Sequence, residues 1–133
     1  MTISTINHES KKIDELHFEH GIWIKELKFN KGELKIFSNR LSEVGERYTS
    51  TAVLARLDQF QNKFMVQQDV ADTLLQDLNV HEQKLNAAAL KNSISIDRIS
   101  FSEHYQMRAR METFEKIFRQ LRNDYLRYLS ETM

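Results

Sequence analysis

Three histidines sit where an apolar side chain would pack better: His20, His81 and His104. Each lies on a separate apolar stripe of three- and four-residue spacing, the pattern of a buried helix face. Imidazole holds transition metals through a neutral nitrogen and carries protons near neutral pH. If the chain reverses near residue 50, His20 lies level with about residue 80, beside His81. A second reversal near residues 94–96 puts His81 level with about residue 109, roughly one turn from His104. His17 precedes His20 by three positions and takes a neighbouring face. Four of the five histidines therefore converge near one end of a helical rod. Asp77, four residues before His81, shares its side of the helix, and Glu19, Glu82 and Glu103 fall close in height.

This set reads in two ways. Neutral imidazoles with a carboxylate inside a bundle are a usual means of holding iron, manganese or zinc. His20, His81 and His104 are then the ligands, with His17 and Asp77 as additions. Alternatively, the histidines form a polar layer, bonded to one another, to Asp77 or to water, that fixes helix register. The Glu-x-x-His pairs of di-iron carboxylate bundles are absent.

The elements that must position these residues are legible from the same spacing. Val53, Leu57, Phe60, Phe64, Gln67, Ala71, Leu74, Leu78, His81, Leu85 and Ala88 form a long heptad-like, coiled-coil-type stripe. A preceding stripe runs Ile13, Leu16, His20, Trp23, Leu27, Asn30, Leu34, Phe37, Leu41, Val44 and Tyr48, widened by Ile24, Phe29 and Ile36. A third runs Phe101, His104, Met107 or Arg108, Met111, Phe114, Phe118, Leu121, Tyr125 and Tyr128, continued by Leu129 and Met133. Asn30-Lys31-Gly32 is the best candidate for a break in the first stripe, but the phase holds through it. Tyr48 to Thr51 supplies a turn with capping hydroxyls. Asn92 to Asp97 interrupts the period, and Ser100 with Glu103 matches a capping box that would start the last helix near Phe101.

The expectation is all-α: a long up-down-up three-helix antiparallel bundle with helices at about 10–48, 51–91 and 100–131. Residues 1–133 make a single domain, with 1–9 a frayed lead-in. The alternative is a four-helix bundle with one helix broken. No proline and only three glycines in 133 residues argue against a strand-rich fold, which needs turns.

Composition excludes several function classes. Nineteen basic and nineteen acidic residues give zero net charge, so no nucleic-acid or anionic-membrane partner is expected. The seven basic residues of the third helix are interleaved with acids, as on a solvated face. There is no cysteine, hence no disulfide, thiolate nucleophile or Cys-type zinc site. No apolar run reaches the ~18 residues of a membrane span. The first residues lack a signal-peptide pattern, so a cytoplasmic location is expected. No catalytic motif occurs; His81-Glu82-Gln83-Lys84-Leu85 opens like a zinc-protease helix but lacks its second histidine. A second polar layer at Asn30, Gln67 and Gln68 reads as an amide layer that sets register.

The runs His20-x-x-Trp23-x-x-Glu26-Leu27, Glu33-Leu34-x-x-Phe37-x-x-Arg40-Leu41, Phe60-Gln61-Asn62-x-Phe64 and Met111-Glu112-x-Phe114-Glu115-x-Ile117-Phe118 resemble a family of small uncharacterised bacterial helical proteins. The resemblance spans most of the chain and implies an all-helical fold, without an activity. In that pattern histidines recur near Gln59 and Gln76, which implies weakened metal chemistry in a chain with glutamine there. A more distant likeness to hemerythrin-type His-rich bundles rests on histidines in helices alone. The His-x-x-x-Glu and His-x-x-x-His spacings are absent, so it assigns no ligands.

The sequence therefore points first to a non-enzymatic helical scaffold or protein-interaction module, acting as a homo-oligomer (a dimer) or with another protein. It points second to a metal-binding bundle with its histidine cluster at one end, for storage, sensing or redox work.

Overall fold

The computed structural model describes the backbone of residues 3–91 and 94–132 and the side chains of 14–87 and 101–132. The expected stripe members Ile13, Ala88 and Met133 lie outside the described side chains. Three helices make up the described chain: α1 (Ile3–Gly45), α2 (Thr51–Lys91) and α3 (Ile94–Thr132). No strand occurs among the described residues. The fold is the expected antiparallel three-helix bundle, and no helix is broken, which overturns the four-helix alternative. No helix is long and apolar enough to cross a membrane.

Two boundaries differ from expectation. α1 begins at Ile3 rather than near residue 10, so its lead-in is helical, and it ends at Gly45 rather than Tyr48. Past Val44 the ladder tightens: Arg47 N–H donates to the Val44 carbonyl at 3.0 Å, a three-residue step typical of helix ends. Glycine, the weakest helix former after proline, sits at that point. α2 then starts from Ser50, whose carbonyl accepts the Leu54 N–H at 3.0 Å. α3 begins at Ile94, seven residues before the expected start at Phe101. Ser100 therefore lies inside a helix rather than at its start. No Pro or Gly separates Ile94 from Ser100, so nothing in the backbone obliges the helix to wait for the capping box.

The stripes converge on one core drawn from all three helices. Leu27, Leu34 and Leu41 of α1 meet Phe60, Phe64, Leu74 and Leu78 of α2 and Met111 and Phe114 of α3, all at 2% exposure or less. Toward the first turn the filling is aromatic. Phe37 and Tyr125 have ring centroids 4.8 Å apart, and Phe64 lies edge-on to Tyr125 at 5.3 Å. Tyr48 donates its hydroxyl to the Thr132 carbonyl at 3.0 Å, tying the first turn to the end of α3. Near the first half of the core, Gln61 and Gln68 of α2 donate to the Ser38 and Lys31 carbonyls of α1, at 2.9 and 3.1 Å.

The expected amide layer does not form. Gln68 is engaged with the α1 backbone, Gln67 is buried facing α3, and Asn30 lines a separate cleft with Glu26, Glu115 and Arg119. The widening residues divide too. Ile24 packs on the core, whereas Phe29 and Ile36 are 66% and 65% exposed.

Candidate metal centre

Antiparallel packing brings His20, His81 and His104 together, one from each helix, at 1–3% exposure. A nitrogen of each lies within 4.8 Å of the others, and all three side chains are buried. The centre sits several turns inside the helix ends, because α1 extends back to Ile3 and α2 on to Lys91. Trp23 forms its floor on one side, stacked on His104 with centroids 4.8 Å apart and planes at 27°.

Each imidazole has one nitrogen turned outward onto a carboxylate. His20 Nδ1–H donates to Glu82, His81 Nδ1–H to Glu103 at 3.1 Å, and His104 Nε2–H to Glu19 at 2.5 Å. These assignments follow from the partners: an ionised carboxylate only accepts, so the facing ring nitrogen carries the proton. The carboxylates are anchored in turn. Arg108 grips Glu19 with two bonds, at 2.7 and 3.2 Å, and Lys84 holds Glu103 at 3.2 Å. Glu82 takes His17 on its second oxygen.

The consequence lies on the inner side. With its outer nitrogen protonated, a neutral ring presents a bare lone pair inward. His20 Nε2 and His104 Nδ1 face each other at 2.9 Å, and His81 Nε2 is buried with no hydrogen-bond partner. Two lone pairs at that distance repel unless a proton or a cation lies between them. Three converging, buried lone pairs form a donor set for a cation.

The electrostatics agree. Burial lowers His81 and His104 below the usual histidine range, outweighing the upward pull of Glu103 and Glu19, and the His20 charge lowers both further. Both are thus biased toward the neutral form that ligates. The Arg108 hydrogen bond leads in holding Glu19 down, against its burial. Burial raises Glu82 and Glu103, but bonds from His20 and His17, and from Lys84 and His81, bring both below the usual range.

The remaining expected residues fall elsewhere. His17 is 28% exposed and sits outside the trio, on Glu82. The grouping His17, His20 and Glu82 is also compact, but its members already satisfy one another by N–H donation. Asp77 lies outside both groups and pairs with Arg110 at 2.8 Å. Its side of α2 faces α3 one turn further from the histidines. At the alternative Met107/Arg108 position, Met107 is buried and Arg108 supports Glu19.

Same-face reasoning does not assign the three carboxylates as partners, although the sequence signals them. Every stripe histidine has a glutamate beside it: Glu19-His20, His81-Glu82 and Glu103-His104. The order reverses in the middle pair, as it must if the middle helix runs the other way. A residue next to a core position lies about 100° around the helix, so it reaches the neighbouring helix's histidine rather than its own. The structure shows this as a closed exchange. Glu19 of α1 serves His104 of α3, Glu103 of α3 serves His81 of α2, and Glu82 of α2 serves His20 of α1.

A second titratable pair lies further along α1 and α3. Glu115 shares a hydrogen bond with Glu26, which with burial pushes its carboxyl up to about 7. Glu26 Oε2 is buried without a hydrogen-bond partner.

No protein-family model, curated protein or solved structure matches the chain.

Proposed function

We propose that this protein is a metal-binding helical bundle that holds one divalent transition-metal ion, zinc foremost, on His20, His81 and His104. The observation that carries the reading is the set of inward lone pairs, each fixed by a carboxylate on the outer nitrogen. Carboxylate–histidine–metal relays of this kind set the tautomer and raise ligand basicity. Tetrahedral zinc ligands at 2.0–2.1 Å lie about 3.3 Å apart. That falls between the 2.9 Å of the His20–His104 pair and the 4.8 Å limit of the trio. Small ring movements suffice. Three imidazoles without a thiolate suit zinc, and iron or manganese to a lesser degree. Bound there, the ion ties three helices at one height, with a cavity of about 210 Å³ beside His81 and Glu103. The role this reading assigns is holding a metal, or letting metal set the bundle's register.

The test is metal analysis and thermal melting of protein purified without a histidine tag. One equivalent of metal, or a clear rise in Tm on adding Zn²⁺, is expected for the wild type and lost in His81→Ala. Glu103→Gln, which takes the carboxylate from His81 and Lys84 and leaves the three imidazoles in place, should weaken binding by about ten- to a hundredfold. Metal below about a tenth of an equivalent, with melting unchanged by added Zn²⁺ or Fe²⁺, refutes the reading and leaves a structural polar layer.

A second reading, a self-associating interaction module, draws on the exposed apolar residues. Val66, Val70 and Ile117 stand on the α2/α3 side, and Phe18, Phe29 and Ile36 on α1. The two readings are compatible.

A further inference from the structure

A groove lined only by α2 and α3 runs along the bundle. It comprises a cavity of about 530 Å³ around Val70 and Ile117 and another of about 400 Å³ around Val66 and Leu121. Val66, Val70 and Ile117 are 56%, 38% and 44% exposed along it. Gln67 lines both cavities, is 8% exposed, and its Oε1 has no hydrogen-bond partner. An apolar channel whose valines lack cover is an unfinished interface.

The charges at its edges say what completes it. On α2, Lys63 lies seven residues before Val70 and Asp77 seven after. On α3, Arg110 lies seven before Ile117 and Asp124 seven after. Seven residues are nearly two helical turns, so each trio shares one face. The Asp77–Arg110 bridge at 2.8 Å fixes the register, which puts Val70 level with Ile117 in one cavity. Lys63 and Asp124 have no ion-pair partner among the described residues, and both line the groove. The pattern therefore inverts about its own centre: reversing the groove end for end lays base on acid along both helices.

We infer that the groove binds a second copy of this chain, antiparallel, about a two-fold axis at the level of Val70 and Ile117. The axis sets α2 against the partner's α2 and α3 against the partner's α3. Lys63 then meets the partner's Asp77, and Asp124 meets the partner's Arg110, each twice by symmetry. Gln67 and Thr73 lie three residues to either side of Val70, so the partner's Thr73 comes level with Gln67. Val70 and Ile117 each pack on their own symmetry mates. A two-fold interface needs this kind of self-complementarity and no second kind of partner. The inference rests on the self-association reading above and is independent of the metal centre.

Sedimentation from micromolar to hundreds of micromolar protein tests it. The wild type is expected to dimerise. Val70→Glu with Ile117→Glu should give a folded monomer, and Asp124→Arg should weaken the dimer about tenfold, equivalent to 1.4 kcal/mol. Phe29→Glu, on the far side of α1, should leave the dimer intact. Circular dichroism checks that each variant folds. The chain has no cysteine, so single thiols give a direct reading in otherwise native protein. Val70→Cys and Ile117→Cys should each link to themselves through a short thiol cross-linker, and Phe29→Cys should not. A wild type that stays monomeric overturns both this inference and the self-association reading. A dimer broken by Phe29→Glu but not by the groove variant overturns the inference alone. So does a mixture in which Val70→Cys links to Ile117→Cys instead of to itself.

Discussion

Replacing Glu115 by glutamine should raise the melting temperature at alkaline pH and change it little in acid. Glu115 is held up to about 7, first by its hydrogen bond to Glu26 and then by burial. A carboxyl whose folded-state pKa exceeds its unfolded value contributes stability that is fully present below the unfolded pKa of about 4.5 and is lost as pH rises through about 7. Taken at face value, the displacement corresponds to about 3.4 kcal/mol at roughly 1.36 kcal/mol per unit. Glu115 is only partly buried, so solvent screening reduces this to about half, near 1.5–2 kcal/mol. Glutamine abolishes the charge repulsion and offers an N–H to the unpartnered Oε2 of Glu26. For 133 residues the unfolding entropy near 60 °C is about 280 cal/mol/K, so the gain is about 5–7 °C. The assay is thermal circular dichroism of both proteins at about pH 8 and about pH 5, at fixed ionic strength with chelator present. An equal shift at both pH values, or no rise at the higher one, would refute the argument that the hydrogen bond to Glu26 and burial hold Glu115 up.

Other outcomes follow from named contacts. Because burial lowers His81 and His104, the metal-free fold should lose stability as pH falls below about 6.5, by up to about 1.4 kcal/mol per pH unit for each. A flat Tm over that range in Glu115→Gln, where the opposing carboxyl is gone, would contradict their neutral state. Gly21→Ala with Gly32→Ala should add about 2 kcal/mol by urea unfolding, since a new Cβ meets nothing within 4 Å at either position and helical glycine costs about 1 kcal/mol. Tyr48→Phe should cost about 1 kcal/mol in the same assay through loss of its bond to the Thr132 carbonyl. Phe64→Ala, at 0% exposure between Phe37, Phe60 and Tyr125, should cost about 3–5 kcal/mol.

The stripes carried most of the architecture because a core position in a long helix recurs every three or four residues whatever its neighbours do. Antiparallel arithmetic then placed His20, His81 and His104 at one height, within the turn or so that helical rise allows. It could not choose among carboxylates at that height. Asp77 shares the side of His81, yet its opposite number on α3 is Arg110, and that bond claims it. The glutamates that do reach the imidazoles sit beside a histidine in sequence, a position that same-face reasoning discards. Chain boundaries failed for a related reason. Gly45 and Ile94 are set by where the backbone can still bond, whereas Tyr48 and Ser100 follow from side-chain pattern alone. Phe29 and Ile36 show the limit of periodicity: it finds apolar residues near a stripe, and burial depends on whether another helix stands opposite.

Trp23 has a use beyond packing. It is the sole indole in the chain, and it lies flat against His104 and 5.8 Å from His20. An imidazolium in that position quenches indole emission by accepting an electron from the excited ring, and a neutral imidazole does so far less. The protein therefore comes with its own optical gauge. Acid or an arriving ion at the three nitrogens should change its fluorescence without any label being attached.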